Sequence, residues 1–284
     1  MTTDATKHVN LGDGRSVHFI SGLPRSGSTL LSALLRQNPQ FTATMTTPVA
    51  MLWGTLLPKM GGKGEFSSFF DDEKRGNILR STLEGFYHDK DSRQVIFDTN
   101  RTWSTKLPLI GHLYPRAKVI CCVRSIGWII DSVERLLRKN PLQTSRIFDF
   151  KADGTVYSRV EMLMNSERGL VGLPWSALRE AWFSEQASRL IVLDYDRLVE
   201  NPGEVMEKLY AEIDQPYFEH DFDNVEYDEP TYDTEIGMPG LHHVRQRVGR
   251  EDRASCLPPD LFRKYADTAF WAEPTMNKRG VIVL

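Results

Sequence analysis

The stretch Ile20–Leu31, ISGLPRSGSTLL, decides how the rest of the chain is read. It has the outline of a phosphate-binding loop: Gly22, four residues, Gly27, then the small polar pair Ser28 and Thr29. Before it, VHFIS (17–21) is an apolar run of strand type; after it, STLLSALLRQNP (28–39) reads as a helix that ends near Pro39. Strand, glycine-rich turn and helix start are the context in which such a loop holds an anion. Glycines let the backbone pass close to the anion, and a helix N-terminus offers free N–H groups and a partial positive charge. The lysine of the usual motif is missing, however. Ser28 stands in its place, and Arg25 lies within the loop. In nucleotide hydrolases that lysine reaches the β- and γ-phosphates and Mg²⁺ sits on the following hydroxyl. Here a planar guanidinium, suited to a tetrahedral oxyanion, has to supply the charge together with the loop amides.

Outward from the loop, three more runs read as buried strands: QVIFD (94–98), AKVICCV (117–123) and RLIVLDY (189–195). Helical patterns separate them, among them SIGWIIDSVERLLRKN (125–140) and NPGEVMEKLYAEI (201–213), the second with an Asn-Pro start. Strands alternating with helices predict an α/β fold of three layers, a central parallel sheet flanked by helices, of the P-loop nucleoside-kinase type. The 284 residues suit one large domain, 1–284. Two segments fit the sheet poorly, 41–93 and 141–185; they read as helical insertions that shape a substrate pocket. The tail from about 220 reads as loop-like, acidic first and basic afterwards.

Composition limits the function classes. Net charge is −3, with 26% charged and 40% hydrophobic residues, so no global footprint argues for nucleic acid or membrane. Any anion site is a local basic pocket. Three cysteines show neither a metal-ligand spacing nor an even disulfide framework, which points to a reducing cytoplasm. The start, MTTDATKHVNLGDGR, is polar and lacks a signal-peptide core, and no apolar run approaches the ~20 residues of a membrane helix. No acidic metal-holding motif closes a later strand; Asp98 ends one, in FDTN, and no metal site is expected. A sulfuryl group fits a loop of this kind, because it carries less charge than a phosphoryl group at neutral pH and needs less neutralisation.

GLPRSGSTLL resembles the 5′-phosphosulfate loop of sulfotransferases that use 3′-phosphoadenosine 5′-phosphosulfate (PAPS), in the form seen in the tyrosylprotein branch and many bacterial members. A second motif agrees: CCVRSIGWIIDSVERL puts Arg124 after a strand and Ser132 eight residues on, which resembles the family's 3′-phosphate site. The segment LIVLDYDRLVENPGEVMEKLYAEI resembles a further family element, in which Tyr195 matches a tyrosine beside the nucleotide. GLHHVRQRVGREDR (240–253) is similar to the family's basic loop over the 3′-phosphate and adenine, with Arg247, Arg250 and Arg253 as the expected contacts. The resemblance thus implies PAPS as co-substrate, held by Arg25, Ser26, Gly27, Ser28, Thr29, Arg124, Ser132, Tyr195 and that basic loop. It also implies transfer to a hydroxyl or amine of an acceptor, taken to be a small molecule.

Such transfer needs donors on the sulfuryl oxygens and a base for the acceptor proton. Arg25 and the loop suit the first role, and Arg101, in DTNRTW, stands where the family often has a lysine. The base departs from the family pattern. Small-molecule enzymes carry a histidine in a KTH segment where this chain reads TNR, and the tyrosylprotein branch carries a glutamate where it reads TATMTTP (42–48). Asp98 is the first candidate, with His242 and His243 as the others. Two further readings share the loop: a phosphoryl-transfer kinase, against which the missing lysine counts, and a non-catalytic nucleotide-binding module. The sequence leaves the acceptor and the oligomeric state open.

Overall fold

The computed structural model describes residues 15–62, 65–90, 94–142, 144–149, 154–227, 230–266 and 268–284. Residues 1–14, read above as a polar start, lie outside them. In chain order the elements are β1 (Ser16–Gly22), α1 (Ser28–Gln37), β2 (Phe41–Ala43), α2 (Val49–Met60), α3 (Asp72–Phe86), β3 (Val95–Thr99), α4 (Leu107–Leu113), β4 (Val119–Val123), α5 (Ile126–Lys139), α6 (Val156–Leu163), α7 (Gly172–Phe183), β5 (Leu190–Asp194), α8 (Tyr195–Glu200), α9 (Pro202–Glu212), α10 (Pro230–Glu235), α11 (Pro259–Ala266) and β6 (Ile282–Val283).

The strands form one six-stranded sheet in the order β2-β3-β1-β4-β5-β6, and every pairing is parallel. Apolar residues run through the strands without a polar face because both faces are covered. Alternation divides them between two cores. Phe19, Ile96, Cys121 and Val192 face one core with residues of α2, α3, α4, α5 and α7; Ile20, Phe97, Cys122 and Leu193 face the other with residues of α1, α8 and α9. The three layers predicted from the sequence are present.

Two elements depart from the expectation. The segment 41–93 opens with a strand, β2, before its helices, and the loop-like tail returns to the sheet as β6. β6 is fixed by Leu284 N–H donating to Val192 O at 2.8 Å and Asp194 N–H donating to Leu284 O at 2.9 Å. The tail also carries α11, which packs on α5, and the acidic-to-basic stretch buries Val225, Met238 and Leu241. Tail residues therefore cover the strand ends where the glycine loop emerges.

Candidate active site

β1 and β4 end side by side, and the loop that leaves β1 is clamped onto β4. Gly22 takes φ +103°, and a Cβ there would stand 2.2 Å from the Cys122 carbonyl oxygen, so no other residue fits without moving β4. Leu23 N–H donates to the same carbonyl at 2.8 Å. Ser26 is fully buried beneath the turn, its hydroxyl directed at the carbonyls of Leu23 (2.5 Å) and Cys122 (2.9 Å). Its side chain ties the loop down instead of lining the cavity, which corrects the direct ligand role expected of it. Arg25 adopts φ +56°, a left-handed conformation costly for a residue with a Cβ. Gly27, at φ +94°, is the N-cap of α1, and no side chain caps that helix. Its first amides are thus without a side-chain acceptor, as at anion-binding helix starts.

This loop forms one wall of a cavity of about 1020 Å³ at the carboxyl ends of the strands. Of the residues singled out from the sequence, Arg25, Gly27, Ser28, Thr29, Arg101, Arg124, Ser132, Tyr195, Arg247, Arg250, Arg253, His242 and His243 all line it. Met45 and Thr46 from one insertion and Arg146, Ile147 and Leu170 from the other also line it. Trp53, Trp103 and Trp182 are fully buried in the core, and Trp128 reaches the cavity.

The two phosphate motifs meet. Arg25 Nε donates to Ser132 Oγ at 3.0 Å, joining the loop to α5. The Arg124 guanidinium lies over the Tyr195 ring, 4.2 Å from its centroid, and its Nε is buried with no hydrogen-bond partner among the described residues. Tyr195 in turn fills the space beside Gly27, where a Cβ would come within 2.7 Å of the ring. Burial, followed by the charge of Arg124, lowers the Arg25 pKa to about 10, and burial also lowers that of Arg124. Two partly desolvated guanidiniums therefore concentrate positive charge on one wall of the cavity. Arg101 is exposed to the cavity yet hemmed in by protein, and burial lowers its pKa too. The loop carrying it is fastened to β1, since Ser21 Oγ donates to Arg101 O at 3.0 Å and accepts from Ser104 N–H at 3.1 Å.

The basic loop is anchored through a residue the sequence did not flag. Asp131, fully buried on α5, accepts from Arg253 Nη2 (2.9 Å), Arg135 Nε (3.0 Å), Ser255 Oγ (3.1 Å) and Cys256 N–H (2.6 Å). Burial pushes its carboxyl up, but these bonds outweigh that and its pKa is lowered. Arg253 is thereby held inward near Trp128, whereas Arg247 and Arg250 stand on the exposed rim, paired with Asp223 and Glu200 at 2.9 Å each. Replacing Asp131 with Ala is expected to speed hydrogen exchange at the Cys256 amide by roughly ten- to a hundredfold, the loss of a bond to a charged acceptor. Unchanged protection there would mean that the anchor lies elsewhere.

Asp98 is not brought to the cavity. It shares a strand face with Ile96 and points into the core. There its carboxylate accepts from Thr47 Oγ1 (2.7 Å), Tyr87 OH (2.9 Å) and Trp103 Nε1 (2.8 Å). The neighbouring Thr99 lines the cavity and Asp98 does not, so the catalytic role first assigned to Asp98 is corrected to a structural one. Among the described residues, no group of three or more His, Cys, Asp or Glu is arranged to hold a metal ion, and no helix is long and apolar enough to cross a membrane.

A glycine turn clamped to a parallel sheet, an uncapped helix start and converging arginines thus meet at one cavity. A sequence model of the sulfotransferase family matches residues 18–219, and the chain belongs to that family. It is 23% identical over 269 residues, 88% of this chain and 85% of the relative, to a Caenorhabditis briggsae protein named "Putative protein-tyrosine sulfotransferase". It is 27% identical over 213 residues to the nodulation protein NoeE of Sinorhizobium fredii, covering 68% of this chain but only about half, 48%, of that protein. Among solved structures, the sulfotransferase domain of the Synechococcus PCC 7002 olefin synthase aligns over 92% of this chain and 98% of its own, with 18% identity and a TM-score of 0.47.

Proposed function

We propose that this sulfotransferase takes its sulfuryl group from PAPS and transfers it to a hydroxyl or amine of a small-molecule acceptor. The observation that carries the reading is the convergence of Arg25, Arg124, Ser132 and Tyr195 on one cavity, where Arg124 Nε is buried without a partner among the described residues. A buried donor of that kind is costly unless an anion satisfies it. PAPS has two anionic ends, which fits two guanidiniums set on adjacent strand ends. In this reading Arg124, Ser132 and the basic loop hold the 3′-phosphate. Arg25, Ser28, Thr29 and the start of α1 hold the phosphosulfate, and Arg101 lies toward the acceptor. Met45, Thr46, Ile147 and Leu170, from the two insertions, then bound the acceptor space of a single domain. Three free thiols, two of them buried on opposite faces of β4, fit a reducing cytoplasm.

The desulfonated product, 3′-phosphoadenosine 5′-phosphate (PAP), is expected to raise the melting temperature far more than adenosine 5′-phosphate. At one hundred times its Kd it contributes about 2.7 kcal/mol. Equal shifts for the two nucleotides would remove the 3′-phosphate site. Incubation with PAPS and a panel of phenols, alcohols, sugars and amines is expected to release PAP together with a sulfonated acceptor. Phosphorylation by ATP and Mg²⁺, with no turnover of PAPS, would restore the kinase reading.

A further inference from the structure

We propose that His242 is the general base that takes the acceptor's proton and that Asp233 positions it, an inference that rests on the sulfuryl-transfer reading above. TNR and TATMTTP (42–48), the stretches set against the family's base positions, offer neither a histidine nor an acid, and Asp98 is enclosed in the core. A base has to come from elsewhere on the cavity wall.

Asp233, on α10, is buried, and both of its carboxylate oxygens are committed to one residue. Oδ2 accepts from the His242 backbone N–H at 2.8 Å, and Oδ1 lies 2.5 Å from His242 Nδ1. A clamp on backbone and ring together fixes the rotamer. It also fixes the tautomer: facing a carboxylate, Nδ1 carries the proton and Nε2 keeps the lone pair. The backbone that carries the carboxylate is itself tied down, because Met238 N–H donates to the Asp233 backbone carbonyl at 2.9 Å. Tyr232 packs edge-on against the imidazole, with ring centroids 5.5 Å apart. His242 and Tyr232 line the same cavity as Arg25 and Arg101.

The charged and titratable groups acting on the ring are Asp233 and Tyr232 from α10, Arg25 from the glycine loop and Arg101 from the turn after β3. Burial lowers the His242 pKa, Asp233 opposes this, and Arg25 and Arg101 add to the lowering. The imidazole is therefore neutral near pH 7 and able to accept a proton. As the acceptor oxygen bonds to sulfur, Nε2 takes the hydroxyl proton. The bond from sulfur to the bridging oxygen breaks, and its electron pair stays on the 5′-phosphate of PAP. Asp233 steadies the imidazolium until the proton passes to solvent. Arg25 and Arg101 serve the sulfuryl oxygens throughout, so base and electrophilic donors converge from three separate segments.

A His–Asp pair that merely fastened the basic loop would act on nucleotide affinity, so rate and affinity are to be measured separately. The full chain and its His242→Gln and Asp233→Asn variants are compared between pH 5 and 9. PAP release from PAPS is followed with phenol and with water alone as acceptor, and PAP affinity by calorimetry. His242→Gln is expected to lower kcat by about 10²–10⁴ with an unchanged Kd for PAP, and to abolish the acidic limb of the kcat profile. Asp233→Asn is expected to cost roughly a hundredfold or more, through the wrong tautomer, and to move the remaining limb to lower pH. Free imidazole is expected to restore part of the rate to His242→Ala and none to Asp233→Asn. Wild-type kcat in His242→Gln, or a loss confined to PAP affinity, would overturn the proposal. If the wild-type chain releases no PAP with either acceptor, the underlying sulfuryl-transfer reading is what fails.

Discussion

Arg124→Ala is expected to lower the affinity for PAP on the order of a hundredfold, the loss of about 3 kcal/mol of charge-assisted hydrogen bonding, while urea stability stays within about 1 kcal/mol of wild type. Both halves have one cause. Arg124 is partly desolvated, its Nε has no partner among the described residues, and a second guanidinium, Arg25, stands close enough to depress its own pKa. In return the fold gains one cation–π contact with Tyr195, worth about 1–2 kcal/mol. Removing the side chain loses that contact but also removes a desolvated charge and a like-charge repulsion, so the fold is left nearly unchanged. The anion loses its fixed donor. A charge kept at a net cost to the protein alone is the mark of a binding residue. Calorimetry with PAP and urea denaturation measure the two quantities separately. Unaltered PAP affinity would show that Arg124 does not touch the anion, and a large fall in stability would show that it is structural.

What was legible in the sequence was whatever repeats or sits at a fixed offset. β1, β3, β4 and β5 were visible as apolar runs, and α1, α5 and α9 as periodic ones bounded by Gly, Pro or Asn. Arg25 was singled out by the glycine spacing, and Arg124 and Ser132 by the resemblance of their eight-residue interval to a family motif; the fold brings all three to one cavity. β2 and β6, with three and two residues, are too short to show a period, and only pairing with β3 and β5 makes them strands. Asp131 and Asp233 carried no signal. Each is an acid buried by chain that arrives from far along the sequence or across an aperiodic turn, the 253–256 segment in one case and His242 in the other. Asp98 was legible as a strand-end acid, but its facing was not. Alternation sets it opposite to Thr99, and which of the two meets the cavity depends on how α2 and α3 cover the sheet.

That facing gives the second large effect. Asp98→Ala is expected to destabilise the protein by about 4 kcal/mol, because Trp103 Nε1, Thr47 Oγ1 and Tyr87 OH are donors in a closed core and lose one shared acceptor. Thr47 connects the core to the site. Asn100 Nδ2 donates to its carbonyl at 3.0 Å, and Thr46 and Asn100 line the cavity. Asp98 thus supports the cavity wall without lining the cavity. Burial raises its pKa to about 6, against bonds from Thr47, Tyr87 and Trp103 that lower it. A folded-state value above the ordinary 3.8 means that the folded protein binds this proton more tightly. The contribution of Asp98 is then full below about pH 4 and is lost as pH rises through about 6, a change on the order of 3 kcal/mol. Asp98→Asn removes the titration while keeping the shape, so its stability should depend less steeply on pH between 4 and 6 than that of wild type. Urea midpoints for the three proteins across that window measure both effects. Equal midpoints for Asp98→Ala and wild type would remove the structural role. A collapse of turnover in Asp98→Asn with stability and PAP affinity intact would return its carboxylate to the chemistry.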